Sequence, residues 1–410
     1  MDSISLPERD SASLRLAHPT DREKVEQWTK NGATWKGALS LEAYLRRERY
    51  LLQAPLAKDG GITHWILVDS DAEDRKVFAG CETLKKRALV AKNGDVVDVV
   101  CHGIGSVFSP PEFRGRGFGR RLMTEMGPQL ETWQTEKAPC LFSVLFSDIG
   151  KVSHRANVFL RSYQREISTP YTEGEFFSAQ FYAKNGWHPF PSAHISIPAT
   201  MNAVKAVTGG SPLYSGDLLQ LCETDEKLLR QQLSALDPKA AKPTIAIVPD
   251  IATIRWHHAR EEFVATELYG KAPTIKGAMT GTEIGKRVWC YWTRVWHTAD
   301  PLKRNENTMF ILRLVVEDAA AAGTDNAIAS LFTMALEEAE TWGMGEVQMW
   351  NPAEPAVAAA QLLYPQATVV HREEESIVCL RWHGNIDDAD SDVSATEQCI
   401  WVGNEKYGWC

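Results

Sequence analysis

The chain has 410 residues, too many for one ordinary core, and at roughly 150 residues per domain two domains are the working count. Hydrophobic residues make up 44% and charged residues 24%, a globular balance that excludes extensive disorder. Lys and Arg number 44 against 53 Asp and Glu, a formal charge of −9, so no overall basic field draws the protein to nucleic acid or anionic lipid. A local basic patch can still serve an anionic cofactor. No apolar run approaches the ~20 residues that span a bilayer, and the first 16 residues lack the apolar block of a secretory signal. The eight cysteines form no C-x-x-C pair, which reads as buried thiols in a reducing compartment and not as a zinc site. A soluble, cytoplasmic protein is expected.

In chain order, 14–16 is a short strand, and Pro19-Thr20-Asp21 opens a helix by capping chemistry. A second helical pattern covers 41–52. Segments 62–68 and 77–83 are β-rich, and 96–108 is a further strand in which Gly103 and Gly105 mark a bulge or a close approach. An amphipathic helix follows, with Leu122, Met126, Leu130 and Trp133 on one face and Pro128 expected to bend it. Segment 140–146 is another apolar strand. The stretch 199–216, rich in Gly, Ser, Pro and Thr, is the best candidate boundary. It divides the chain into 1–208, 209–384 and an acidic linker with aromatic tail, 385–410, that packs back onto the protein.

Beyond the boundary, 218–236 and 325–342 read as helices, and 244–248, 310–316 and 347–350 as strands. Two tripeptides echo between the halves: Lys36-Gly37-Ala38 as Lys276-Gly277-Ala278, and Glu131-Thr132-Trp133 as Glu340-Thr341-Trp342. A duplicated fold is one reading of them; chance repetition is the other. His257-His258 and Glu261-Glu262 resemble a metal cluster, but adjacent positions on a helix diverge, and a solvated face is the expectation.

The most informative segment joins the 96–108 strand to the helix: Arg114-Gly115-Arg116-Gly117-Phe118-Gly119-Arg120-Arg121. Its glycines let the backbone turn and approach a ligand, and the first N–H groups of the helix suit a phosphate or pyrophosphate. A dinucleotide fingerprint needs a different glycine spacing after the first strand, and a P-loop needs Gly-Lys-Ser/Thr. An Arg-Gly RNA-binding box belongs in low-complexity repeats.

At these residues the chain resembles the GNAT superfamily of acyl-CoA N-acyltransferases, whose Arg/Gln-x-x-Gly-x-Gly/Ala signature matches Arg114 to Gly119. A second signature of that family, Phe-Tyr-x-x-x-Gly-Phe/Trp, matches Phe181-Tyr182-Ala183-Lys184-Asn185-Gly186-Trp187. Ser147-Asp148-Ile149-Gly150, Trp187-His188-Pro189-Phe190 and the Asn404-to-Cys410 ending look further like the fungal lysine N-acetyltransferases of lysine catabolism. The resemblance implies an α/β (α+β) fold: a GNAT-type mixed, twisted sheet flanked by helices, followed by a second, degenerate GNAT-like domain.

It also implies acetyl-CoA as co-substrate, lying in a gap between two parallel strands that end near Phe108 and Phe146. Val107 and Phe108 would pair with pantetheine, and Arg114, Gly115, Arg116, Gly117, Phe118, Gly119 and Arg120 would hold the diphosphate. The acceptor would be the side-chain amine of free L-lysine, attacking directly in a ternary complex. With a pKa near ~10.4 that amine is almost wholly protonated at pH 7, so a base is required. Glu82, on a central strand, is the first choice; His102, with a suitable intrinsic pKa, is the second, its other reading being a hydrogen-bonded strand residue. Tyr182 matches the family tyrosine that protonates the departing thiolate. Free lysine also needs a partner for its carboxylate, and no arginine in the sequence stands out for it. No metal is implied. Beyond Ala319-Ala320-Ala321-Ala322-Gly323 the second half carries no copy of the glycine signature, so its expected role is to close over the substrate.

Residues 152–180 interrupt the expected turn before Phe181-Tyr182. The segment begins Val-Ser and ends Ala-Gln, the in-frame translation of a fungal intron start and a terminal CAG, so a retained intron is favoured over a surface insertion, which would also be tolerated. Rival functions are acetylation of another amine (a polyamine or a protein lysine) and acyl-CoA binding without catalysis. The protein is expected to act as a monomer or homodimer, without nucleic acid or membrane.

Overall fold

The computed structural model describes residues 6–70, 75–147, 179–199, 207–373, 376–383 and 394–409. In the first half these form β1 (Leu14–Ala17), α1 (Asp21–Trp35), α2 (Leu41–Leu51), β2 (Ile62–Asp69), β3 (Val77–Lys92), β4 (Asp95–Phe108), α3 (Phe118–Thr132), β5 (Cys140–Ser147), α4 (Ala179–Ala183), β6 (His188–Pro189) and β7 (Ala193–Pro198). Then follow β8 (Ser211–Tyr214), α5 (Leu218–Ser234), β9 (Thr244–Ile247), α6 (Ile251–Tyr269), β10 (Ile275–Thr280), β11 (Val288–Val295), β12 (Thr308–Val316), α7 (Thr324–Thr341), β13 (Glu346–Trp350) and α8 (Glu354–Leu363). Three short strands, β14 (Val370–His371), β15 (Ile377–Trp382) and β16 (Ile400–Trp401), come last.

Local chemistry sets several of these boundaries. Thr20 caps α1 through a capping box, its hydroxyl accepting from the Glu23 N–H while Glu23 accepts from the Thr20 N–H at 2.7 Å. Asn93 and Gly94, with φ of +55° and +86°, turn β3 directly into β4. The strand expected over 77–83 therefore continues to Lys92.

Two mixed sheets result. The first has nine strands, ordered β1-β2-β3-β4-β5-β15-β6, with β9 alongside β3 and β16 alongside β9. The second has seven, ordered β14-β7-β13-β12-β11-β10-β8. Each contains the same unit: an antiparallel pair, a crossover helix, then a parallel strand, as β3-β4-α3-β5 and as β11-β12-α7-β13. Glu131-Thr132-Trp133 and Glu340-Thr341-Trp342 both fall at the ends of these crossover helices, so that echo marks equivalent places. The Lys-Gly-Ala echo does not, since Lys36 follows α1 whereas Lys276 lies inside β10.

Sheet membership crosses the boundary expected at residue 208. β7 pairs with β13 in the second sheet, while β15 runs antiparallel to β5 and β9 antiparallel to β3 in the first. The open edge of β5 is filled by a strand from near the C-terminus, because an unpaired edge facing the core leaves backbone groups unsatisfied. One buried cluster accordingly joins Ala88, Val99, Phe142 and Val144 of the first sheet to Trp289, Tyr291 and Leu312 of the second.

The C-terminal tail is pinned between the halves. Tyr407 is fully buried and donates its hydroxyl to the Ile247 carbonyl at 2.7 Å. The Lys406 ammonium lies 3.7 Å from the Trp409 ring centre and 4.0 Å from that of Trp350. The stretch 152–178, most of the segment read as an intron or insertion, lies outside the described residues, as do Asp148 and most of the acidic linker. Among the described residues no helix is long and apolar enough to cross a membrane.

Candidate active site

The site begins with a defect in β4. Between Glu82↔Gly105 and Gly80↔Phe108 the β3–β4 register slips, so β4 carries one extra residue there. Ser106 takes a left-handed φ of +53° at this bulge. Bulges bend and twist the strand that carries them, and the parallel β4–β5 pairing ends at Ile104↔Leu145. Gly105 to Phe108 therefore continue without a register partner on β5, and the two strands part into a wedge.

Above the wedge lies a cleft, partly open to solvent, walled by α2, α6, the strand ends, Tyr182 and Trp409. Val107 lines it, whereas Phe108 does not and packs edge-on against the lining residue Trp35, with ring centres 6.0 Å apart.

Past β4 a single 3-10 turn (Pro111–Phe113) leads into the glycine loop. Gly115 and Gly117 have φ of +72° and +81°, a region that favours glycine. Gly117 is the N-cap of α3 and supplies no side-chain cap, so the first N–H groups of the helix are left to a ligand or solvent. Phe118 anchors this end by stacking on Phe78 at 4.6 Å, and Gly119 is buried behind it. Arg116 and Arg120 are exposed. Arg114 turns back instead, donating to the Ser109 carbonyl at 3.0 Å with its guanidinium 5.3 Å from the Phe108 ring centre, so its visible task is to shape the loop. Two left-handed glycines, an uncapped helix start and exposed arginines fit a diphosphate. Arg9 was not anticipated: a Cβ on Gly117 would sit 2.5 Å from its Cδ, so the N-terminal segment crosses this loop.

At the other end of the wedge Glu82 lines the cleft, its side chain 16% exposed. Ser106 donates its hydroxyl to Glu82 Oε1 at 2.8 Å, and His64 Nε2 lies 3.6 Å from Oε2. Burial raises the Glu82 carboxyl above its usual range, opposed by the Ser106 hydrogen bond and by the charges of Arg260 and Arg47. Burial pushes His64 down to about 4, so it is neutral at pH 7.

Tyr182 is 5% exposed, lines the same cleft and packs edge-on against Phe181 at 5.3 Å. Its carbonyl accepts from the N–H groups of Asn185 and Trp187, which closes α4 through Gly186 at φ +91°. The Trp187 indole N–H donates to Ser143 Oγ at 3.0 Å, fixing this turn against β5.

Two expectations are corrected. His102 does not line the cleft: fully buried, it donates Nε2–H to the Trp133 carbonyl at 3.0 Å, and burial lowers it to about 4. It is a neutral core histidine. His257, His258 and Glu261 are not a solvated face either. His257 and His258 donate to the carbonyls of Tyr407 and Trp292, and Glu261 binds Lys276 at 2.9 Å and Arg294 at 2.8 Å. The positions diverge around the helix as expected, but His257, His258 and Glu261 are all covered, and only Glu262 of the four stays partly exposed.

The residues missed by sequence reasoning form the far wall. Tyr44, Arg47 and Glu48 come from α2, and Trp256 and Arg260 from α6. Arg47 and Glu48 are joined at 2.6 Å, and the Arg260 guanidinium lies 5.7 Å from the Trp409 ring centre. Burial raises the Glu48 carboxyl, with Arg47 opposing. In the sequence Arg46-Arg47-Glu48-Arg49 looks like a solvated run, because nothing local reveals that a helix from the other half covers it.

A family model described as the LYC1 GNAT-like C-terminal domain matches residues 194–410, more than half of the chain. A lysine acetyltransferase of Yarrowia lipolytica is 27% identical over 65% of this chain and 68% of its own length. An uncharacterized Saccharomyces cerevisiae protein is 21% identical over 94% of this chain and 95% of its own. Among solved structures, a GCN5-related N-acetyltransferase from Anabaena variabilis superposes on 90% of this chain and 73% of its own, at 13% identity and a TM-score of 0.47. The chain belongs to the LYC1 GNAT-like family and is an acyl-CoA-dependent acetyltransferase of the GNAT type, with a second GNAT-like domain after the first.

Proposed function

We propose that the protein transfers the acetyl group of acetyl-CoA to the side-chain amine of free L-lysine, by direct attack in a ternary complex. The observation that carries this reading is the meeting of Glu82, Tyr182 and the end of β4 that lacks a β5 partner in one cleft, on the strand that runs on into the glycine loop. Bound acetyl-CoA supplies a thioester carbonyl; the protein supplies the rest. N–H groups along Gly105 to Phe108 orient the pantetheine amides and polarise the carbonyl. The Glu82 carboxylate, with its basicity raised by burial, takes a proton from the side-chain ammonium, and the neutral amine so formed attacks the thioester carbonyl. The Tyr182 hydroxyl gives its proton to sulfur as the C–S bond breaks, and the second proton lost by the nitrogen as the amide forms returns to the tyrosine oxygen through solvent. His102 has no part in the transfer. The Yarrowia relative, a lysine acetyltransferase, supports the acceptor, and the reaction would serve cytoplasmic lysine breakdown.

The test is thiol release from acetyl-CoA by purified protein offered lysine, a polyamine and a lysine-containing peptide, with and without Tyr182→Phe. Lysine should be the preferred acceptor, and the variant should lose at least about tenfold in kcat. Preference for the peptide would move the reading to protein acetylation, and CoA binding without turnover would select a non-catalytic binder.

A further inference from the structure

The wall of the cleft opposite the wedge carries a pattern of charge that catalysis does not use. Arg47, Glu48 and Arg260 face it together with Glu82. Both hydrogen bonds from Arg47 to Glu48 go to Oε1, at 2.9 and 2.6 Å, which leaves Oε2 outside that pair. Arg47 and Glu48 are only 6% and 13% exposed at the side chain, so these charges are held in place and poorly screened by water. Arg260 comes from α6, which is tied to α2 by the Arg46–Glu267 pair at 2.6 Å. Its charge acts on both Glu48 and Glu82.

Two guanidinium and two carboxylate groups sum to zero. A neutral cleft with its charges separated is complementary to a dipolar guest. The α-carbon end of free lysine is such a guest, with an ammonium and a carboxylate on one carbon and the side-chain nitrogen at the end of a flexible chain.

We propose that the α2–α6 wall is a receptor for the α-carbon end of a free amino acid, with Arg260 binding the α-carboxylate and Glu48, oriented by Arg47, binding the α-ammonium. This rests on the acetyl-transfer reading above and adds to it which residues choose the acceptor. It also gives the second half a task. Arg260 belongs to the second half, so the selectivity of the first half's cleft depends on it.

The test uses the full chain, acetyl-CoA and three amines: L-lysine, cadaverine (lysine without its carboxylate) and 6-aminohexanoate (lysine without its α-amine). Rates are taken on the pH plateau of each variant. The wild type should prefer lysine to either analogue by at least about tenfold in kcat/KM, as expected for a lost charge-assisted contact. Arg260→Met should lower the lysine-to-cadaverine ratio by roughly tenfold to a hundredfold, mainly through the KM for lysine. Its lysine-to-6-aminohexanoate ratio should hold. Glu48→Gln should do the reverse, lowering the preference for lysine over 6-aminohexanoate and holding that over cadaverine. Equal losses with all three amines in both variants would overturn the proposal, as would a wild type that uses the three equally well, a result needing no variant to fold. Turnover of none of the three by a wild type that binds CoA would instead overturn the acetyl-transfer reading beneath it.

Discussion

Ser106 and Glu82 are joined at 2.8 Å across the bulge that ends the β4–β5 pairing. The residue that opens the wedge for a thioester thus also orients the carboxylate proposed to deprotonate the amine. Opening the strand and placing the base are one local event in the backbone.

Glu82→Gln removes the proposed base while keeping its shape. The kcat for lysine should fall by roughly a hundredfold to ten-thousandfold, with acetyl-CoA affinity retained. Because the base works unprotonated, wild-type activity should be lost as pH falls through the Glu82 value, which burial raises above the ordinary 4.5. His64, at about 4, stays neutral across that limb and does not create it. A pH profile of kcat in the two proteins checks both statements.

Ser106→Gly keeps the left-handed backbone available and removes the hydroxyl. The Ser106 hydrogen bond favours the Glu82 carboxylate, so its loss should move the acid limb to higher pH. An unmoved limb would mean that Glu82 is not the titrating group.

Gly117→Ala places a methyl group 2.5 Å from Arg9 Cδ on a residue with φ of +81°. The loop must shift, and the KM for acetyl-CoA should rise by about tenfold or more while that for lysine stays near its original value. Steady-state kinetics with each substrate varied in turn would show the split.

Glu261→Ala tests the covered face of α6. Its carboxylate holds Lys276 and Arg294, and all three side chains are at most 1% exposed. Burial favours the protonated acid, yet the two cations outweigh it and keep the Glu261 carboxyl below its usual range. Removing it takes the fully buried partner from both cations, which then keep only the more exposed carboxylates of Glu262 and Glu338, and should destabilise the fold by roughly 1–3 kcal/mol, read from urea unfolding. The wild-type contribution is complete above the unfolded-state pKa of a glutamate and is lost as pH falls through the lower folded value.

Much of the catalytic half was legible because its signals are local. The Arg114-to-Gly119 loop, the Thr20 cap and the Phe181-Tyr182 turn each announce themselves within a few residues. The reach of β3 is also local, written in the Asn93-Gly94 turn and not in the β-rich run that ends at Thr83. What stayed hidden depends on distant segments. Nothing near Ile377–Trp382 states that it will fill the edge of β5, and nothing near Arg260 states that it will face α2. The two readings of His102, base or hydrogen-bonded strand residue, are not separable in the sequence for the same reason, since its carbonyl partner on Trp133 lies at the far end of a helix. A truncation at Ser211 would strip β15 and β9 from the first sheet, so point variants of Arg260 are the sounder probe of the second half.

The most direct measurement is the product itself: purified protein, acetyl-CoA and free L-lysine, with NMR or mass spectrometry locating the acetyl group. The account predicts stoichiometric CoA thiol release and acetylation of the side-chain nitrogen, both sharply reduced in Glu82→Gln. Acetyl on the α-nitrogen, or undiminished side-chain acetylation by Glu82→Gln, would contradict it.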